Sequence, residues 1–567
     1  MPLSNPHPGT TRSERLWHLS LLTATVVNCV FQIAWFWRFG VHQIMLDGIN
    51  YVGVAHHLVD GDFKASLHGY WSPLVSWLTA ALSVLIGNLE LAGKLVTVSS
   101  FILCLFLLYL LTLRLWHSRV AAALAVLWFS TARGILALAA LSILADFLLT
   151  ACVLLYFVLL LRALRRNRPI DWTLLGAVHG LAFLAKAIAM PWLSISSLLA
   201  VLARNITAPR RLLAPLFLAF LLPVAVWASW GVALRTKYGV FTAGCQLRIN
   251  LMINWHRWLR HGPPGYSPEF VDMSSLLDKY TVSIVPWSSL QNFHLRIAQL
   301  LPMIVGAEFH NVPSAVKETV ILLSPAGVLA LAAMLMLLAR NRRRFPTEAE
   351  FSCIALLSTV SLILAYCMLV FDGRYVIPLV PVLIAICSPA LLPADGVAPG
   401  VAPWIRKSLL GMLVASTAFF AVYWASPFRT VDRDFARSCY EAAISLKKQK
   451  SAGTLVSIGN GPYPDRGVGF EVGDYMAYMA GWRLVGQNSA LPDSPAQADE
   501  LLQQVLAARS DAVAVWGSPG AKSYDYIVEN IRRDTAGKPS MKLMDPYKGE
   551  VGTLVLAGQP GAAFLRH

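Results

Sequence analysis

Charge is what this chain lacks. Asp, Glu, Lys and Arg make up only 14% of its 567 residues, against about 25% in an ordinary soluble domain, and that deficit excludes a surface fully exposed to water. Acids are scarcer than bases, 31 against 47, so the net charge is +16. Such a charge would suit a nucleic acid if it lined one surface. The basic residues instead gather in short clusters between apolar runs, the pattern of loops held in the cytoplasm, so no nucleic-acid partner is expected. Cysteine is sparse too: of eight, Cys29, Cys104, Cys152, Cys353, Cys367 and Cys387 fall inside apolar segments. Cys245 and Cys439 remain, too few for a disulfide framework. No small-residue cleavage pattern follows the first apolar segment, Leu16 to Trp37, which therefore reads as a retained span.

What the chain has is apolar length. Hydrophobic residues make up 56% of it, in segments of about 17 to 25 residues, enough to cross a hydrocarbon core of about 30 Å. Six basic clusters punctuate them: TTRSER before the first span, Arg114 to Arg119, Arg162 to Arg168, Arg204 to Arg211, Arg340 to Arg344 and Trp404 to Lys407. All six come out cytoplasmic if the spans are 16–38, 93–114, 119–141, 145–162, 171–189, 191–204, 212–235, 317–339, 351–371, 375–393 and 407–426. The expected fold is thus a polytopic α-helical membrane protein of about eleven spans, N-terminus inside, in a bacterial inner membrane. Pro73 to Ile86 becomes a short helix at the outer surface. A membrane domain 1–429, with outer loops 39–92 and 236–316, precedes an extracytoplasmic α/β domain, 430–567. In that tail TLVSIG (454–459), RLVG (483–486), AVAVWG (512–517) and TLVLAG (553–558) read as strands between helices such as ADELLQQVLAAR. The IGNGPYPDRG stretch reads as a turn, because no helix with phosphate-binding spacing follows it.

Ionisable residues inside apolar spans mark functional sites by default. Asp146 stands at the outer end of the fourth span, Lys186 just inside the outer end of the fifth, and Arg374 at the start of the tenth. Asp47 follows the first span in MLDGINYVGVAHHLVDGDF, where it could also cap a helix. Snorkelling and capping explain each singly. Two acids, a lysine and an arginine from four segments at similar depth point instead to a shared polar cavity. A carboxylate there can take a proton from a hydroxyl, while fixed cations hold a lipid phosphate and stabilise it as it leaves. That set suits transfer of a sugar from a polyprenyl phosphate to an acceptor hydroxyl or amine. His56 and His57, being adjacent, point about 100° apart on a helix and do not form a ligand pair, so no metal or other cofactor is expected.

The series Asp47, Tyr51 and Ala55, then LVDGDF, then Tyr70 with Pro73 and Leu74, then Asp146, GLAFLAK ending at Lys186, and RYVIPLVP from Arg374 to Pro381 resembles the GT-C membrane glycosyltransferases of family 39. Their relatives include the aminoarabinose transferase of lipid A and the protein O-mannosyltransferases. The resemblance runs over about residues 16 to 395. It implies an inverting transferase using a polyprenyl-phosphate-linked sugar, with a lipid, glycan or protein as acceptor. It further implies Asp47 and Asp146 as catalytic residues, Lys186, Arg374 and Tyr375 at the donor phosphate, and Tyr51, His57 and Tyr70 lining the substrate cavity. Two departures stand out. Gly48 replaces the Glu of the family's Asp-Glu pair, and Trp71-Ser72 replaces the Glu-Lys that precedes the proline in the aminoarabinose transferase. The alternatives are a transporter or flippase of lipid-linked sugars, for which matching repeated halves are missing from the sequence, and a non-catalytic scaffold, which needs no aligned acid, lysine and arginine.

Overall fold

The computed structural model describes residues 12–40, 46–132, 134–205, 212–239, 311–367 and 373–392 without interruption, and beyond them short stretches that include five strands. The helices are α1 (Arg12–Gly40), α2 (Leu46–Val59), α3 (Phe63–Ser66), α4 (Pro73–Ile86), α5 (Leu89–Trp116), α6 (Arg119–Thr131), α7 (Ile135–Leu141), α8 (Ala145–Arg166), α9 (Pro169–Ala185), α10 (Ala189–Asn205), α11 (Leu213–Tyr238), α12 (Asn311–Arg340), α13 (Pro346–Cys367) and α14 (Val380–Cys387). Six of these are long and apolar enough to cross a membrane, and α6 with α7, bent by 65° to one another, form either a broken seventh span or a re-entrant pair. The protein is therefore polytopic and mostly helical. The expected spans 171–189 and 191–204 appear as α9 and α10, 17 residues each, or about 25 Å at 1.5 Å per residue, the lower end of spanning length. The tenth begins as a 3-10 turn, Gly373–Val376, because Pro378 and Pro381 withhold two of the N–H groups an α-helical start would use. The eleventh falls largely outside the described residues, as do most of the outer loop 236–316 and the IGNGPYPDRG turn.

Local chemistry sets the helix ends. Asn88 and Ser118 accept the N–H groups of Leu91 and Ala121 at the starts of α5 and α6. Pro73 and Pro169 occupy the first turns of α4 and α9, where a missing N–H costs nothing. His117, Asn167 and Gly87 close α5, α8 and α4 in the left-handed conformation. On α9 the GAVHG stretch presents Gly176 and Gly180 to α11; a Cβ at Gly176 would stand 2.7 Å from the Ala219 carbonyl oxygen. Small residues four apart let the two backbones meet.

The described residues fall into two compact units, one holding the helices from Tyr51 onward together with α1 to Arg38, the other the C-terminal strands and the start of α2 up to Asn50. In the first unit several basic helix ends converge. The Arg165 guanidinium donates to the Arg114 carbonyl at 2.8 Å and pairs with Glu348 at 2.8 Å. Asn167 donates to Asn205 at 3.4 Å, and Arg162 pairs with the buried Asp171. In the second unit β1 (Thr454–Gly459), β2 (Arg483–Asn488), β3 (Ala512–Trp516), β4 (Met541–Met544) and β5 (Gly552–Ala557) form one sheet in the order β2-β1-β3-β5-β4. β1 runs parallel to β2 and β3, and β5 antiparallel to β3 and β4. Four of these strands are legible in the sequence. β4, MKLM, is too short and too polar to announce itself.

Candidate active site

Lys186 lies where a helix stops. Its backbone is extended (φ −160, ψ 127), its N–H bonds the Ala182 carbonyl as the last link of α9, and α10 begins only at Ala189. A break at this depth must satisfy its backbone groups without water. Ala187 donates its N–H to Ser72 Oγ at 3.1 Å, and Ala189 donates to the Lys186 carbonyl at 3.0 Å. Ser72 holds the N-cap position of α4, yet its side chain makes no capping bond there; it serves the break instead.

Asp146 lies in the first turn of α8, after the extended residues 142–144, and Leu144 donates its N–H to Thr97 Oγ1 at 3.3 Å. A carboxylate is favoured at a helix N-terminus. Lys186 Nζ donates to Asp146 Oδ1 at 2.7 Å, with the side chains 10% and 3% exposed. The same ammonium lies 4.4 Å from the centre of the Tyr375 ring, and the Arg374 guanidinium 5.6 Å from that ring. Three segments distant in sequence, the start of α8, the α9–α10 break and the 3-10 turn, therefore meet as one acid, two cations and a phenol. A cation so paired is held rigid, with its positive charge fixed in place.

Beside it runs an aromatic loop, residues 67–72, fixed at several points. Lys237 at the end of α11 donates to the Leu67 carbonyl at 2.8 Å, and Gly69 donates to Tyr238 Oη at 3.2 Å. His68 Nδ1 accepts from the N–H groups of Tyr70 at 3.0 Å and Trp71 at 3.3 Å, which leaves the ring proton on Nε2. Trp71 packs edge-on against Tyr51 (5.4 Å between centroids) and Tyr70 (4.6 Å). Ser76 Oγ donates to the Tyr51 carbonyl at 2.9 Å, which ties α2 to α4.

Of the residues singled out in the sequence, Asp146, Lys186, Arg374 and Tyr375 come together, and Tyr51 and Tyr70 share one aromatic cluster. Tyr51 is buried and Tyr70 half-buried. His57 is exposed on α2, where its neighbour His56 pairs with Asp60 at 2.7 Å. Asp47, half-buried in the first turn of α2, falls in the other compact unit. Among the described residues no three His, Cys, Asp or Glu side chains converge as a metal would require. Trp71, Ser72, Lys237 and Tyr238 escape a reading of the sequence because their roles depend on partners far along the chain. Lys94 escapes it too: it is 1% exposed and pairs with Glu90 at 3.0 Å, and the i, i+4 acid-base spacing was its only signal.

Compared with known proteins, residues 71–230 match the family described as dolichyl-phosphate-mannose-protein mannosyltransferase. No curated protein sequence matches the chain. Among solved structures, the crystal structure of ArnT from Cupriavidus metallidurans bound to undecaprenyl phosphate superposes with a TM-score of 0.52 at 14% identity, over 96% of this chain and 99% of that one. Its apo form gives 0.52 at 12% identity, over 97% and 100%.

Proposed function

We propose that this chain, which has the fold of the GT-C membrane glycosyltransferases, moves a sugar from a polyprenyl-phosphate donor to a hydroxyl or amine acceptor at the outer face of the membrane. The observation that carries this reading is the buried Lys186–Asp146 pair with Tyr375 and Arg374 beside it. An ion pair inside apolar helices costs desolvation that packing alone would not require, whereas a leaving phosphate needs cations placed in advance. ArnT, with the same fold, has been crystallised with undecaprenyl phosphate.

In this reading the acceptor oxygen or nitrogen attacks the anomeric carbon as its proton passes to a carboxylate base, the role that the family resemblance implies for Asp47. The bond from that carbon to the phosphate oxygen breaks, its electron pair stays with the phosphate, and Lys186 and Arg374 stabilise the charge. Attack opposite the leaving group inverts the anomeric centre. Asp146 holds Lys186 in place rather than taking the proton itself. Sidedness follows from α8: about 33 Å long at 1.5 Å per residue, it carries Asp146 at one end and Arg162, Arg165 and Arg166 at the other. Basic ends stay cytoplasmic, so the Lys186–Asp146 pair lies at the outer end of its helices.

The test is turnover by the purified full chain supplied with undecaprenyl-phosphate sugars and candidate acceptors, read as release of undecaprenyl phosphate. Cells lacking the protein should accumulate the donor. Binding of sugar-linked lipid with movement across vesicles but no transfer would favour the transporter reading.

A further inference from the structure

His179 is a polar residue that the site described above leaves unused. It is fully buried on α9, in the GAVHG stretch. Its Nε2 lies 3.1 Å from the Met190 carbonyl oxygen. A carbonyl only accepts, so in the neutral ring the proton is on Nε2 and Nδ1 is a bare acceptor. That Nδ1 is shielded from solvent and, among the described residues, has no partner. A leucine or methionine would fill the place without orphaning a buried nitrogen, so packing does not account for a histidine there. The bond made by Nε2 does.

That bond spans the break at Lys186. His179 stands seven residues before Lys186, about 10 Å along α9 at 1.5 Å per residue, and Met190 stands four residues after it. For the two to touch, the first turn of α10 folds back beside the last turns of α9, which puts Lys186 at the bend. The imidazole is itself held: Tyr156 of α8 and Phe220 of α11 meet it edge-on, each at 6.4 Å between centroids. Tyr156 also grips α10, with its Oη 2.8 Å from Ser197 Oγ and 3.3 Å from the Leu193 carbonyl oxygen. It lies on the helix that carries Asp146, so the bend is fixed against the element that holds the acid. Ser72 secures the bend through the Ala187 N–H after Lys186, and His179 secures it from α9 below.

We propose that His179 is a positioning residue of the candidate site: by holding the Met190 carbonyl it closes the α9–α10 bend and sets the Lys186 ammonium on Asp146. Its consequence for donor binding rests on the donor reading above; the clasp on the Lys186–Asp146 pair does not.

The test uses the detergent-solubilised full chain and two variants. His179→Met fills the site but removes the N–H, whereas His179→Gln keeps an amide N–H able to reach the same carbonyl. Affinity for undecaprenyl phosphate, measured on folded protein, should fall by about three- to tenfold in His179→Met, the worth of one hydrogen bond, and recover most of that loss in His179→Gln. The Lys186–Asp146 coupling, read from SDS unfolding of the single and double variants of that pair, should shrink in the His179→Met background and hold in His179→Gln. A His179→Met protein that is less stable but keeps both the affinity and the coupling would show that His179 only packs, and would overturn the proposal. A His179→Gln protein no better than His179→Met would overturn the hydrogen bond as the cause. Failure of the donor reading shows separately, as a wild type that does not bind undecaprenyl phosphate; the coupling then decides the clasp by itself.

Discussion

Replacing Lys186 by Met tests the centre of the site most directly. Methionine fills the volume of the lysine stem, so the loss is electrostatic: Asp146, with a side chain 3% exposed, keeps its charge and loses the ammonium 2.7 Å away. Removing one partner of a buried pair costs about 3–5 kcal/mol, or roughly two to four powers of ten in the folding equilibrium at about 1.4 kcal/mol each. Asp146→Asn added to Lys186→Met removes the stranded charge while keeping a polar group for the N-terminus of α8. Replacing both members of such a pair is often close to neutral, so the double variant should regain more than half of what Lys186→Met lost. Unfolding by SDS in mixed micelles, run on both single variants and the double, yields the coupling energy, expected to exceed about 1 kcal/mol. Undecaprenyl phosphate binding to the folded double variant should be lost, which separates donor binding from stability. Losses that add within about 0.5 kcal/mol would refute the pairing as an energetic unit.

Three further outcomes are expected. Asp47→Asn retains size and capping ability but not basicity, so donor binding should persist while turnover falls by about two to four orders of magnitude, and near-normal turnover would return Asp47 to a capping role. A cysteine placed at the exposed Ser451 should react with an impermeant maleimide in spheroplasts without inner-membrane permeabilisation; reaction only afterwards would reverse the topology. Gly176→Val drives a side chain into the Ala219 carbonyl, 2.7 Å from the position of its Cβ, and should cost about 1–3 kcal/mol by parting α9 from α11, measured by the same SDS titration.

Much of the fold was legible because its determinants are local. Apolar runs of spanning length reveal α1, α5, α8, α11, α12 and α13, and the short helix expected over Pro73 to Ile86 is α4 with those bounds. Alternation and flanking glycines find four strands of the sheet but miss β4, whose place depends on antiparallel pairing with β5. The same reading does not reveal the breaks after Ala185 and at the 3-10 turn Gly373–Val376, since a hydropathy pattern does not register where a backbone bond is handed to a side chain from elsewhere.

The candidate site divides along that line. Composition alone determined that an acid, a lysine and an arginine sit in apolar surroundings, where each is costly, and the basic clusters determined that they share one end of their helices. Which of them touch was decided by tertiary structure: Lys186 finds Asp146 across 40 residues, and Ser72 finds Ala187 across 115. Sequence fixes depth along a helix through residue count, but the direction a side chain faces, and the neighbour it meets there, depend on how helices rotate and approach. In this chain that approach is set by contacts such as Gly176 against Ala219, between segments that no local pattern connects.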